Sequence, residues 1–285
     1  LLIMKFFLIT GILWFSTFIA CGQAAQPVKV MTFNIRYDNP GDSIYSWKER
    51  KEKVFRMLRL EKLALIGMQE VLKNQAEDLL TTFPQYKMTG VGRDDGREKG
   101  EYAPIFYDTV LFKKVDGSTF WLSQTPTLPG SRSWNSACTR IVTWAKFQQK
   151  NGRDFYFFNT HFDHMSSWAR EESARMVIRA IDSIVRGSLV ILTGDFNETD
   201  TSKMYRILTT KLAKAASFIK IPSDDSDPEY TFIGFPFHPE KGNEIDFVFV
   251  NKDADAVVHY YHSVNYNENG LFPSDHLPVV TGIQF

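Results

Sequence analysis

Cysteine is almost missing from this chain: Cys21 and Cys138 are the only two among 285 residues. Two thiols cannot make a disulfide scaffold or a four-thiolate zinc site, so the fold must stand on its core. Excess charge is missing too, 33 basic residues facing 33 acidic ones. Without a whole-molecule basic field, any grip on a polyanion has to come from a local patch. The apolar run at 6–20 is the nearest approach to a membrane span, and it falls short of the ~20 residues that spanning needs. His-Glu-x-x-His, a Walker A loop and the Gly-x-Ser-x-Gly elbow are all absent, which disfavours the chemistries they serve. Gly90, Gly92 and Gly96 have the wrong spacing for a dinucleotide loop. There is no internal repeat and no Pro/Gly-rich linker.

What is present is an ordinary globular composition, 44% hydrophobic and 23% charged. The length allows one large domain or two modest ones, either able to bury a sizeable core. Met4-Lys5, the apolar run at 6–20 and the small residues after it have the layout of a secretory signal. Export to the periplasm or the cell exterior is therefore expected. Ala20-Cys21-Gly22 resembles a bacterial lipoprotein cleavage site. Lipidation of Cys21 would anchor the chain at the cell envelope and be its only membrane contact; cleavage near Ala24-Ala25 would release it. Residues 1–25 are read as signal peptide or lipoprotein leader, and 26–285 as a single domain expected to be monomeric. Cys138 is expected to be a small buried hydrophobe.

The domain reads as interleaved strands and helices. Strand patterns fall at 28–34, 63–68, 104–106, 110–115, 141–147, 155–159, 189–193, 245–250, 256–261 and 279–283. Ser46 and Glu49 match a capping box, with Val54, Met57, Leu58 and Glu61 following at helical spacing. A second amphipathic stripe runs through Ala169, Ser173, Val177, Ile181 and Ile184. The interleaving predicts an α/β domain whose sheets are covered by helices. Residues 223–228 are the clearest surface loop.

The unusual polar residues fall at strand ends: Asn34, Glu70, His161, Asp195 with Asn197, Asp246, and Asp275 with His276. Singly, a strand-terminal Asn or Asp reads as a turn former, and a lone histidine as a satisfied core residue. As a set they form a crowd of hard oxygen donors and imidazoles without thiolates. That suits Mg²⁺, with Mn²⁺ or Ca²⁺ as alternatives, better than zinc. Carboxylate-held metal with histidines is the equipment for hydrolysing a phosphate ester.

Thr32-Phe33-Asn34-Ile35-Arg36, Met68-Gln69-Glu70-Val71, Asn159-Thr160-His161-Phe162-Asp163, Gly194-Asp195-Phe196-Asn197, Ile245-Asp246-Phe247-Val248 and Ser274-Asp275-His276-Leu277-Pro278 resemble the motifs of the endonuclease/exonuclease/phosphatase superfamily, in the family's order. The resemblance runs from about Val28 to the C-terminus and leans toward exported bacterial members and the deadenylase-like branch. It implies a four-layer α/β sandwich with two packed β-sheets. It further implies Glu70 as principal metal ligand, Asn34 beside it, and Asp275 helping directly or through water. Asp195 and Asn197 would orient the attacking water or bind a second metal. His276, paired with Asp246, would act as general base or hold the phosphate, and His161 would serve a phosphate or leaving oxygen.

The substrate-contacting candidates are Arg36, Arg140 and Trp134. Arg140 is a phosphate clamp or a solvated strand-edge arginine; Trp134, like Trp168, stacks on a planar substrate group or packs under a loop. Glu101 is a candidate partner of His161, and His164 a supporting or surface residue. Arg36 stands where apurinic endonucleases carry an aspartate ligand, which disfavours abasic-site repair. The expected activity is cleavage of a phosphodiester, nuclease-like first, with sphingomyelinase-like or phosphomonoesterase action as the alternative. The partners would be nucleic acid, or lipid or sugar phosphates. A non-catalytic binding module is a third reading, with little need for all eight groups. Specificity is expected in the loops 90–101, 123–139 and 220–242.

Overall fold

A computed structural model describes residues 26–150, 152–219, 230–238 and 242–285. The expected leader with Cys21, and the loop at 223–228, lie outside the described residues. Strand β1 (Val28–Asn34) sends Met31 and Phe33 to one side and Val30 to the other. Strand β2 (Leu65–Gln69) divides in the same way, Ile66 and Met68 against Leu65. This period of two places each strand between two apolar layers.

The first sheet runs β11 (Val257–Ser263), β12 (Val279–Gln284), β1, β2, β4 (Ile105–Asp108), β3 (Tyr86–Thr89). The second runs β5 (Phe112–Trp121), β6 (Ile141–Gln149), β7 (Asp154–His161), β8 (Leu189–Asp195), β10 (Asp246–Asn251), β9 (Leu212–Lys214). Helices α1 (Trp47–Glu61) and α2 (Lys73–Thr82) cover the outer face of the first sheet through Val54, Leu58, Ala76 and Leu79. Helices α3 (Ser167–Ile184) and α4 (Lys203–Leu208) cover the second through Val177, Ile181, Met204 and Leu208. Val30, Leu65, Phe155, Phe157, Ile191 and Val248 fill the space between the sheets. The four layers are those the sequence resemblance implied. Among the described residues no helix is long and apolar enough to cross a membrane.

Each sheet holds one parallel pair, β1 with β2 and β7 with β8. An antiparallel strand flanks each pair, β12 beside β1 and β10 beside β8. A parallel strand ends at the edge where its antiparallel neighbour begins. Asn34, His161 and Asp195 at strand ends, Glu70 just past one, and Asp246 and His276 at or before strand starts are thereby delivered to one edge of the sandwich.

Several local expectations change. Ser46 begins α1 without a side-chain cap bond; its N–H is already given to the Ser43 carbonyl, so Glu49 finds no backbone donor to close the box. The strand expected at 110–115 begins two residues later and runs to Trp121, through an irregular register between Lys114 and Asp116. Helices α2 and α4 and strands β3 and β9 are short elements that the sequence did not announce.

The sheets approach closely at Gly67, where an added Cβ would lie 2.1 Å from Thr193 Oγ1 and 2.6 Å from Asn159 Oδ1. Overpacking of that kind costs about 1–3 kcal/mol. Gly67→Ala should therefore lower the melting temperature by roughly 2–12 °C, read by calorimetry; an unchanged melting point would show that the layers separate freely there.

Candidate functional site

Toward the functional edge the inter-sheet layer changes from apolar to polar. Next to the apolar core, Gln69 Nε2 donates to Thr32 Oγ1 (3.1 Å) and Asn159 Oδ1 (2.7 Å), and Thr193 Oγ1 donates to the same oxygen (2.9 Å). Asn159 Nδ2 donates to the carbonyls of Met68 and Pro104. Gln69 Oε1 is buried without a partner, while Asn159 meets its donors and acceptors within this tier. Above it lies a cavity of about 470 Å³. Its wall includes Glu70, His161, Asp195, Asn197, Asp275 and His276.

The backbone bends sharply to aim these groups. Glu70 (φ 60°), Arg36 (φ 58°) and Asn197 (φ 52°) all take left-handed conformations, which carry strain for non-glycine residues and gather at functional sites. Glu70 Oε1 accepts from Asn34 Nδ2 (3.2 Å), and its Oε2 from the Tyr37 N–H (3.1 Å). Asn34 Nδ2 also reaches Asp195 Oδ2 at 2.9 Å. Asn197 Nδ2 donates to His161 Nε2 (3.0 Å) and to the Phe162 carbonyl. His161 Nε2 also lies 3.4 Å from Asp195 Oδ2, and its Nδ1 is buried without a partner.

The two histidines are driven to opposite charge states. Burial, with the nearby Arg140 and Arg93 guanidinium groups, holds His161 well below the ordinary imidazole range. Burial would lower His276 as well, but the Asp246 carboxylate, by charge and a 2.8 Å hydrogen bond to Nδ1, outweighs it; with Asp195 and Asp275 it pushes His276 to about 10. Burial and the Asp246 charge raise Asp195 to about 7. As an imidazolium, His276 has a hydrogen on both nitrogens. Its 3.4 Å approach to Asn34 Nδ2 then sets donor against donor, and the nearest carboxylate oxygen to Nε2 is Asp195 Oδ2 at 3.8 Å. The Nε2–H is left to serve a ligand.

A cation fits this donor set. Glu70, Asp195, Asp246 and Asp275 bring four carboxylates to one small region. Burial raises Asp275 as it raises Asp195, and one oxygen of Asp246 is buried without a partner. Glu70 and Asn34, with Asp275 beside them, are the residues that would hold a hard divalent ion. Ligand atoms of Asp195, Asp246 and His276 also lie within 4.8 Å of one another, but there the closest contact is the Asp246–His276 hydrogen bond. Cys138, Asp163 and His164 form a second such group. Asp163 has no lone pairs to spare: one oxygen accepts from Ser136 Oγ and the Ala137 N–H, the other from the N–H groups of Met165 and Ser166.

Ten of the eleven site residues expected from sequence come together here. Asn34 and Asp246 stand in contact with the wall residues, and Arg36 and Arg140 line the cavity. The exception is Trp134, which is half-buried and outside the cavity wall, its carbonyl accepting from Ser166 Oγ (2.7 Å). Arg36 keeps its fork on Asp42 (2.9 and 3.0 Å) rather than free for substrate. Glu101 pairs with Arg93 at 2.7 Å, not with His161. Cys138 is half-buried in the cavity wall rather than in the core.

Two groups escaped the sequence reading. Thr231 Oγ1 donates to Asp246 Oδ2 at 2.6 Å and accepts the N–H groups of Ile245 and Asp246. Arg50, 1% exposed, donates to the carbonyls of Ile35, Arg36, Tyr37, Tyr45 and Pro273. It ties the segment after Asn34 to the segment before Asp275, and burial lowers it to about 10. Nothing in Lys48-Glu49-Arg50-Lys51-Glu52-Lys53 distinguishes it from its solvated neighbours.

Attack of water on a phosphate ester is the chemistry this edge is furnished for, and two helix-covered sheets packed face to face are the matching hydrolase architecture. Residues 31–276 match the family model for the Endonuclease/Exonuclease/phosphatase family. The chain belongs to that family of phosphoester hydrolases. A family member of known structure from Bacteroides vulgatus is 40% identical, with a TM-score of 0.85 over 91% of this chain and 99% of that one. A mannosyl-6-phosphatase from Bacteroides thetaiotaomicron is 32% identical, with a TM-score of 0.80 over 90% of this chain and 100% of its own. Nocturnin of Mus musculus is 25% identical across 93% of this chain and 67% of its length.

Proposed function

We propose that the protein is an exported, divalent-metal-dependent hydrolase that removes phosphate from a small phosphorylated molecule, of sugar-phosphate type, held in the cavity. The observation that carries the reading is the convergence in one cavity of the Asp246–His276 pair, 2.8 Å apart, with Glu70 and Asp195, both bonded to Asn34. His276 Nε2–H donates to a phosphoryl oxygen, and Asp246 and Thr231 keep the ring in that orientation. Asp195, whose Oδ2 is held by Asn34 Nδ2 at 2.9 Å, takes the proton of the attacking water. Asn34 and Asn197 fix the two ends of this arrangement. A bound divalent ion would supply charge neutralisation at the phosphoryl and leaving oxygens.

A cavity of this size takes a phosphorylated sugar, and the zero net charge supplies no whole-molecule field to draw in a nucleic-acid strand. The likeness to a mannosyl-6-phosphatase across nearly both whole chains favours the same class. Nuclease-like cleavage is the second reading; Met165 and Trp168, 72% and 53% exposed a few residues beyond His161, would be its stacking surface. Assaying hexose 6-phosphates, sphingomyelin, DNA and RNA with Mg²⁺ and then with EDTA separates them. Phosphate release from the sugar esters alone, abolished by EDTA, is the expected result; turnover of DNA or RNA alone would replace the reading.

Metal affinity should depend on pH in a stated direction. Asp195 must give up its proton for the acidic cluster to hold a cation well. Below its value of about 7, Mg²⁺ binding should weaken by about tenfold per pH unit and release a proton; above it, affinity should level off. Calorimetric titrations between pH 5.5 and 8.5 test this, and a flat profile would remove Asp195 from the cation's surroundings.

A further inference from the structure

Arg140, immediately before β6, is 6% exposed and lies in the wall of the cavity. Its NH2 donates to His164 Nδ1 at 3.2 Å, while its Nε and NH1 are buried with no partner. Other arginines around the cavity are neutralised, Arg36 by Asp42, Arg93 by Glu101 and Arg170 by Glu198. Among the described residues Arg140 has no carboxylate within ion-pair distance. A buried guanidinium with unmatched donors is costly unless a ligand supplies the acceptors. His164 is an exposed residue that follows Asp163, whose two oxygens join the 136–137 and 165–166 segments. Accepting at Nδ1 from Arg140 keeps the His164 hydrogen on Nε2, and so fixes one tautomer.

We propose that Arg140, positioned by His164, is a second anion-holding point that makes this hydrolase prefer phosphomonoesters to phosphodiesters. The proposal rests on the phosphohydrolase reading above and goes beyond it in naming the discriminating group. A monoester carries three non-bridging oxygens and nearly two negative charges. The metal-binding residues and His276 serve two of those oxygens, and Arg140 takes the third with its charge. A diester places a second alcohol where the third oxygen would be, which leaves the guanidinium unmatched.

The full chain with Mg²⁺ is to be assayed on p-nitrophenyl phosphate and bis(p-nitrophenyl) phosphate, with inorganic phosphate as inhibitor. Arg140→Met should lower kcat/KM for the monoester by about 100-fold and weaken phosphate inhibition similarly, the size of a lost charged hydrogen bond, while the diester rate changes by less than about threefold. His164→Ala should raise KM for the monoester by about tenfold with kcat little changed, and His164→Gln, whose amide oxygen can accept from Arg140, should restore most of it. Equal losses on both esters overturn the proposal. A wild-type protein that prefers the diester overturns it too, yet leaves the hydrolase reading standing. If neither ester is turned over, the hydrolase reading fails on these probes, and calorimetry with phosphate still decides: unchanged affinity in Arg140→Met overturns the second anion point.

Discussion

His276→Ala is expected to lower kcat by on the order of 10³-fold, the scale of a lost charge-stabilising donor in an enclosed site, while Mg²⁺ affinity is largely kept. His276 is 5% exposed and has the Asp246 carboxylate 2.8 Å from Nδ1. Its effect must therefore pass through Nε2, the nitrogen that faces the cavity. Asp246→Asn should give part of the same loss, because the amide still fills the space beside Thr231 but no longer holds the imidazolium charge. It should also bring the His276 titration down from about 10 toward the ordinary range, where NMR can follow it. If His276→Ala kept more than a tenth of the wild-type kcat, the assignment of its donor to the phosphoryl oxygen would fail.

Glu70→Ala should show the opposite division. The Glu70 carboxylate is positioned at both oxygens, by Asn34 and by the Tyr37 N–H, and it stands in a strained turn that exists to aim it. Removing a direct ligand should weaken Mg²⁺ binding by more than the roughly 10- to 100-fold known for supporting residues. Activity at limiting Mg²⁺ should fall by on the order of 10³-fold and recover in part at high Mg²⁺. Calorimetry beside a rate assay reads both quantities. Equal Mg²⁺ affinity in wild type and Glu70→Ala would place the ion elsewhere in the cavity. Together the two variants separate the metal-holding half of the site from the phosphate-holding half.

The strand periodicity made the layers readable in advance, since alternating residues such as Val30 and Met31 must face different cores. The same alternation explains why the strand-end polar residues converge: Asp195 and Asp246 continue the face that holds Ile191 and Val248. The short elements were not legible, because helices of six to ten residues such as α4 and α2 carry little periodic signal of their own. Arg50 and Thr231 were hidden for a different reason. Their roles rest on backbone carbonyls and on a partner fifteen positions away, and residue type alone does not report either. Trp134 misled because an aromatic in a loop near the site reads the same whether it faces substrate or, as here, stands outside the cavity wall.

The ordering of β12, β1 and β2 has a topological consequence. Val28 pairs with Ile283 at the end of β1 remote from Asn34, so β1 begins and β12 ends at the pole opposite the cavity, about six strand positions or ~20 Å away. Anything fastened there, whether a tether, an affinity tag or a fused partner, hangs clear of the entrance. A circular permutant that joins the start of β1 to the end of β12 and opens a distal turn would leave the catalytic rim untouched.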